Sequence, residues 1–207
     1  MKKLVSLLVL GLIVVSAGAS FAAPKSAREG KKDSSAFKDF VVYFQNGSKD
    51  NHFVPSGYMG DTADLKCDLK CSEKPKVGNT CIKVTYSAEK TQGQGWAGIF
   101  WQNPANNWGD KAGGFDLTGA KKLTFWAKGA KGGETIAEFK VGGISGEYPD
   151  SDSVAIESVV LTKDWKEYTI DLKGKDLSHI IGGFCFALSA KDNEKGCVFY
   201  LDNIVFK

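Results

Sequence analysis

The chain has 207 residues, of which 43% are hydrophobic and 25% charged, with 27 basic side chains against 24 acidic ones and two histidines. A formal charge of +3 gives nucleic acid no electrostatic invitation. The length suffices for one domain with a substantial core, and neither His52 nor His179 sits in a metal-ligand spacing or a nucleophile motif.

In chain order, the first element is a secretory signal. Lys2 and Lys3 form a positive n-region, residues 4–15 are apolar, and Ser20 and Ala22 occupy the small-residue positions of a cleavage site, which places the signal peptide at 1–22. The apolar run is shorter than the ~20 residues a helix needs to cross the hydrocarbon core, so no membrane span is expected in the mature form. Cleavage removes two lysines and no acid, leaving a nearly neutral chain that is secreted or periplasmic. Residues 23–36 are polar and basic without apolar periodicity, and read as a disordered leader. The folded domain is expected over 37–207.

From residue 40 onward, short runs of period-two alternation are separated by Gly, Asn, Asp and Lys clusters, which predicts about nine strands. They fall at 40–44, 81–87, 96–102, 122–128, 135–141, 156–162, 166–172, 181–189 and 197–206. Ile82, Val84 and Tyr86 share one face, as do Leu123, Phe125 and Ala127, and Tyr168, Ile170 and Leu172, so these faces are expected to be core. No helical apolar stripe persists for three turns. The fold class is therefore all-β, a two-sheet antiparallel sandwich. Residues 45–80 are long, polar and poor in strand signal, and are expected to wrap an edge, held by cysteines or an ion.

Five cysteines in an exported chain suggest disulfides. Cys185 and Cys197 flank a turn-like segment between two strands and form the leading candidate pair; Cys67, Cys71 and Cys81 offer a second, short-loop bridge with its pairing open. Their C-x3-C spacing, with no neighbouring histidine, does not match a structural zinc site.

The densest functional signal is GWAGIFWQNPANNWG at 95–109, where Trp96, Trp101 and Trp108 stand beside Gln102, Asn103, Asn106 and Asn107. Aromatic faces stack on sugar C–H surfaces and carboxamides serve hydroxyl pairs, so Trp101, Asn106, Asn107 and Trp108 are candidate carbohydrate contacts. Trp96 and Trp101 lie five apart on one strand and must point to opposite sides, so at least one is core. Trp126 alternates against Leu123, Phe125 and Ala127, while Glu138 and Lys140 oppose Phe139 and Val141. A sheet face bearing Trp126, Glu138 and Lys140 either binds a ligand or lies under a loop. Tyr148 joins the candidates by its aromatic character. Asp150 and Asp152 read as a solvated loop.

Four runs carry a family resemblance: LTGAKKLTFWAKG at 117–129, LTKDWKEYTIDL at 161–172, GGFCFAL at 182–188 and CVFYLDNIVF at 197–206. Together, over 79–207, they resemble exported carbohydrate-binding modules of the galactose-binding-like jelly-roll type. The resemblance implies a jelly-roll sandwich with no catalysis, a sugar site on a concave face or loop rim, and often a structural calcium held partly by an Asp of the last strand. Asp202 matches that position and Asp61 is its possible companion. The function expected is non-catalytic binding of extracellular or cell-surface carbohydrate. The alternative is an envelope, sheath or matrix protein that uses the jelly roll to pack against protein partners.

Overall fold

A computed structural model describes residues 36–207; the expected signal peptide and nearly all of the leader lie outside the described residues. Eleven strands run β1 (Phe40–Tyr43), β2 (Val54–Gly60), β3 (Leu65–Cys71), β4 (Cys81–Tyr86), β5 (Trp96–Gln102), β6 (Lys122–Gly129), β7 (Thr135–Gly142), β8 (Ser153–Val160), β9 (Lys166–Asp171), β10 (Gly182–Ser189) and β11 (Cys197–Phe206). They form two antiparallel sheets. Sheet A has the order β3-β4-β11-β6-β9, with β1 pairing the far end of β11, and sheet B the order β2-β5-β10-β7-β8.

The alternating faces meet in one core. Sheet A contributes Ile82, Val84, Phe125, Ile170, Phe199 and Leu201, and sheet B contributes Ile99, Trp101, Phe139, Phe184 and Phe186. Phe125 lies 4.6 Å from Phe139 and 5.2 Å from Phe184, centroid to centroid, so aromatic contacts join the two layers. Each such fully buried side chain contributes roughly 1.5–3 kcal/mol relative to exposure.

Residues 45–80 differ from expectation. They supply β2 and β3, the outermost strands of the two sheets, beside β5 and β4 respectively. An edge strand needs only one covered face, and the polar LKCDLKC of β3 shows that its remaining positions tolerate charge.

The expected Cys185–Cys197 bridge is not formed. Cys185 lies on β10 opposite Phe100 and Lys140, on the outer side of sheet B, whereas Cys197 lies on β11 opposite Tyr86 in sheet A. The turn does join their strands in sequence, but it carries the chain from one sheet to the other, which puts the two sulfurs on different layers.

Candidate site on the outer face of sheet B

The register of sheet B sets its outward side chains in rows. One row runs Met59, Gly98, Ala187, Glu138, Glu157, and the next runs Gly57, Phe100, Cys185, Lys140, Ala155. Trp96 begins β5 on the same outward side as Gly98 and Phe100, and is 38% exposed. Phe100 packs with Ile144, Ile181 and Cys185 in a small cluster of its own. Trp108, 42% exposed, meets Phe100 edge to face at 6.1 Å. The two exposed tryptophans thus stand towards opposite ends of β5, and the floor between them is the buried Gly98 with the Met59 methyl against it.

Polar groups border this floor. Lys140 Nζ lies 3.3 Å from a Glu138 carboxylate oxygen and 5.3 Å from the Phe100 ring centroid. Glu138 pairs across the strands with Glu157, and both line a hollow of about 250 Å³ with Trp96, Ala187 and Ser189.

The loop carrying Trp108 is held by its own polar side chains. Gln102 accepts from the Ser56 hydroxyl at 2.9 Å and donates to the Asn107 carbonyl at 2.9 Å. Its side chain lies over Gly57, where a Cβ would stand 2.8 Å from the carboxamide, so this arm exists because position 57 has no side chain. Asn107 is buried, donating to the Lys111 carbonyl and accepting from the Gly109 amide. Gly109, at φ +85°, lies against the Ser145 carbonyl, where a Cβ would come within 2.1 Å, and its own carbonyl accepts the Tyr148 amide at 2.9 Å. The loops bearing Trp108 and Tyr148 therefore pack backbone to backbone.

His179 joins these two loops, and Asp150 ties the second of them to the start of β10. His179 Nδ1 lies 2.7 Å from the Pro149 carbonyl and Nε2 lies 2.9 Å from the Gly113 carbonyl, one in each loop. Asp150 accepts amides of Ile144, Ile181 and Gly182. Its desolvation raises the carboxyl above the ordinary range, against the pull of those donors. It is a half-buried anchor and not the solvated loop residue expected.

No family model matches the sequence, and no curated protein matches it either. Solved structures do. The family 30 carbohydrate-binding module of the cellulosomal cellulase Cel9D-Cel44B of Clostridium thermocellum superposes with a TM-score of 0.56 at 16% identity, covering 82% of this chain and 97% of that one. The family 11 carbohydrate-binding module of the cellulosomal cellulase Lic26A-Cel5E of the same organism gives 0.52 at 18% identity, covering 83% and 95%. The chain shares their β-sandwich jelly-roll fold.

Set on that fold, the candidate residues separate. Trp108 and Lys140 lie on the outer side of sheet B, and exposed Asn106 and Tyr148 lie in the loops beside it. Trp101 does not join them: it is fully buried between Phe184 and Phe186, because it has the opposite phase to Trp96 on β5. Asn107 has both ends of its carboxamide committed to the loop. Trp126 belongs to β6 of sheet A, so it shares no face with Glu138 and Lys140 of β7. It lies instead beneath the Lys76 ammonium, 4.0 Å from the ring centroid. Trp96, not among the sequence candidates, is the β5 tryptophan that faces outward. The five-residue spacing signalled that the two rings diverge, without telling which faced outward.

Asp61 and Asp202 are not brought together as a cation cage. Asp61 accepts the Gln92 and Gln94 amides on Oδ1 and the Gly95 amide on Oδ2. Asp202 Oδ2 accepts the Lys76 and Val77 amides, leaving Oδ1 buried without a partner. Calcium takes six or more oxygens, roughly, and among the described residues no group of three or more potential acidic, Cys or His ligands occurs. Backbone amides occupy oxygens of both carboxylates, from separate segments of the chain, so the two aspartates do not share one cage. Among the described residues no helix is long and apolar enough to cross a membrane.

Proposed function

We propose that this chain is a non-catalytic carbohydrate-binding domain of an exported protein, using the outer face of sheet B between Trp96 and Trp108 as its sugar platform. The observation that carries the reading is the pair of exposed tryptophans on the outer side of sheet B, with charged side chains of β7 and β8 beside them, on a fold shared with carbohydrate-binding modules. The two rings offer apolar faces to sugar C–H surfaces, while Lys140, Glu138, Glu157 and Asn106 supply donors and acceptors for hydroxyls. Loops fixed by Gln102, Asn107 and His179 keep Trp108 in place before the ligand arrives, which lowers the entropy lost on binding.

The fold neighbours come from cellulases, so soluble β-1,4-linked glucans are the first probes, followed by a wider polysaccharide panel. Retardation in affinity gels, weakened by Trp96→Ala or Trp108→Ala with the melting temperature unchanged, is the expected result. A folded protein that no polysaccharide retards overturns the reading.

A further inference from the structure

Residues 72–79 cross the outer face of sheet A as a strap. Asp202 accepts the Lys76 and Val77 amides, the Trp165 indole donates to the Lys74 carbonyl, and the Tyr200 hydroxyl donates to Glu73. Cys71 and Cys81 stand at the two ends of this strap, where β3 stops and β4 begins.

Between Asp68 and Cys71 a β-bulge inserts one extra residue, so that Cys71 and not Lys70 faces Cys81 across the ladder. Without it, the odd–even phase of β3 would turn Cys71 toward the core, as Cys67 is turned. With it, both thiols share one face and lie buried together under Tyr200 and Trp165. Directly opposed positions of an antiparallel pair have Cα atoms about 4.5–5.5 Å apart, inside the window that a disulfide spans. The remaining cysteines have no such partner. Cys67 opposes Val84, Cys197 opposes Tyr86, and Cys185 lies in sheet B.

We propose that Cys71 and Cys81 close into a disulfide that clasps the strap at its base. Each thiol loses its hydrogen, Sγ joins Sγ, and two electrons and two protons pass to an oxidant of the disulfide class, which leaves as two thiols. The order of events follows from burial. Desolvation, and then the neighbouring Cys71 thiol, push the Cys81 thiol up to about 12, so thiolate is scarce once the strap has docked. The bridge therefore forms during folding, and it is hard to reduce afterwards.

The test is oxidative refolding of the full chain. Reduced, unfolded protein is returned to native buffer containing reduced and oxidised glutathione, alkylated and mapped under non-reducing conditions. The expected product is a cross-linked Cys71–Cys81 peptide with Cys67, Cys185 and Cys197 alkylated. A cut within the strap then leaves two fragments that separate only on reduction. The variant carrying Cys67→Ser, Cys185→Ser and Cys197→Ser forms the same bridge. Alkylation of both Cys71 and Cys81 after refolding, or capture of either by another cysteine, overturns the proposal. Fragments that separate without reductant overturn it as well, whether or not the variant folds.

Discussion

Truncating Trp108 to alanine is the most direct test of the platform. The residue is 42% exposed, and among the described residues its one aromatic neighbour is Phe100 at 6.1 Å, so little of the fold depends on it. A tryptophan buries roughly 150–250 Å² when fully covered. A sugar ring over the exposed part would thus remove at most about 60–100 Å² more from water, worth about 1.5–2.5 kcal/mol at ~25 cal/mol per Å². Incomplete pairing of displaced hydroxyls offsets part of this. About 1–2 kcal/mol remains, which is roughly a 5- to 30-fold loss of affinity. Isothermal titration with the best-retarded oligosaccharide measures the loss, and thermal melting monitors the fold. Unchanged affinity in a variant that melts like the parent would show that Trp108 is not a sugar contact.

Trp101→Ala is expected to behave in the opposite way, costing about 3–5 kcal/mol of stability in chemical denaturation, since it empties a fully buried site between Phe184 and Phe186. A stable Trp101→Ala protein with weakened binding would reverse the assignment of the two β5 tryptophans. Asp202→Ala should cost about 1–3 kcal/mol by leaving the Lys76 and Val77 amides unpaired, and a chelator should leave the parent melting temperature where it was; a marked fall on chelation would put a cation back at that carboxylate. Burial works to raise the Asp61 carboxyl, but amides of Gln94, Gly95, Gln92 and Trp96 outweigh it and hold the group below the ordinary 3.8. A depressed folded pKa means that this stabilisation is present above about 3.8 and is lost as pH falls through the folded value. The destabilisation caused by Asp61→Asn should therefore be largest near neutral pH and shrink in acid, and a penalty that is the same at both ends would contradict the amide-held carboxylate.

Strand alternation was legible along most of the chain because period-two patterning is a local property: each of the nine expected strands is present, with β8 beginning a few residues early. β2 and β3 escaped notice because an edge strand, covered on one face and paired on one side, can keep polar residues and glycine. Of the proposed site, the tryptophans and carboxamides crowded into 95–109 are visible in the sequence, because their chemistry is a matter of residue type. Which ring faces outward depends on the phase of β5 relative to a partner sheet, and no local pattern carries that phase for a strand buried on both sides. The same limit separated Trp126 from Lys140 and Cys185 from Cys197, since strands near in sequence were dealt to different layers. Composition and alternation determined the chemistry available and the kind of fold; only the pairing of distant strands decided which side chains share a surface, because that choice is made by long-range burial of whole faces and not by any single residue's neighbours in the chain.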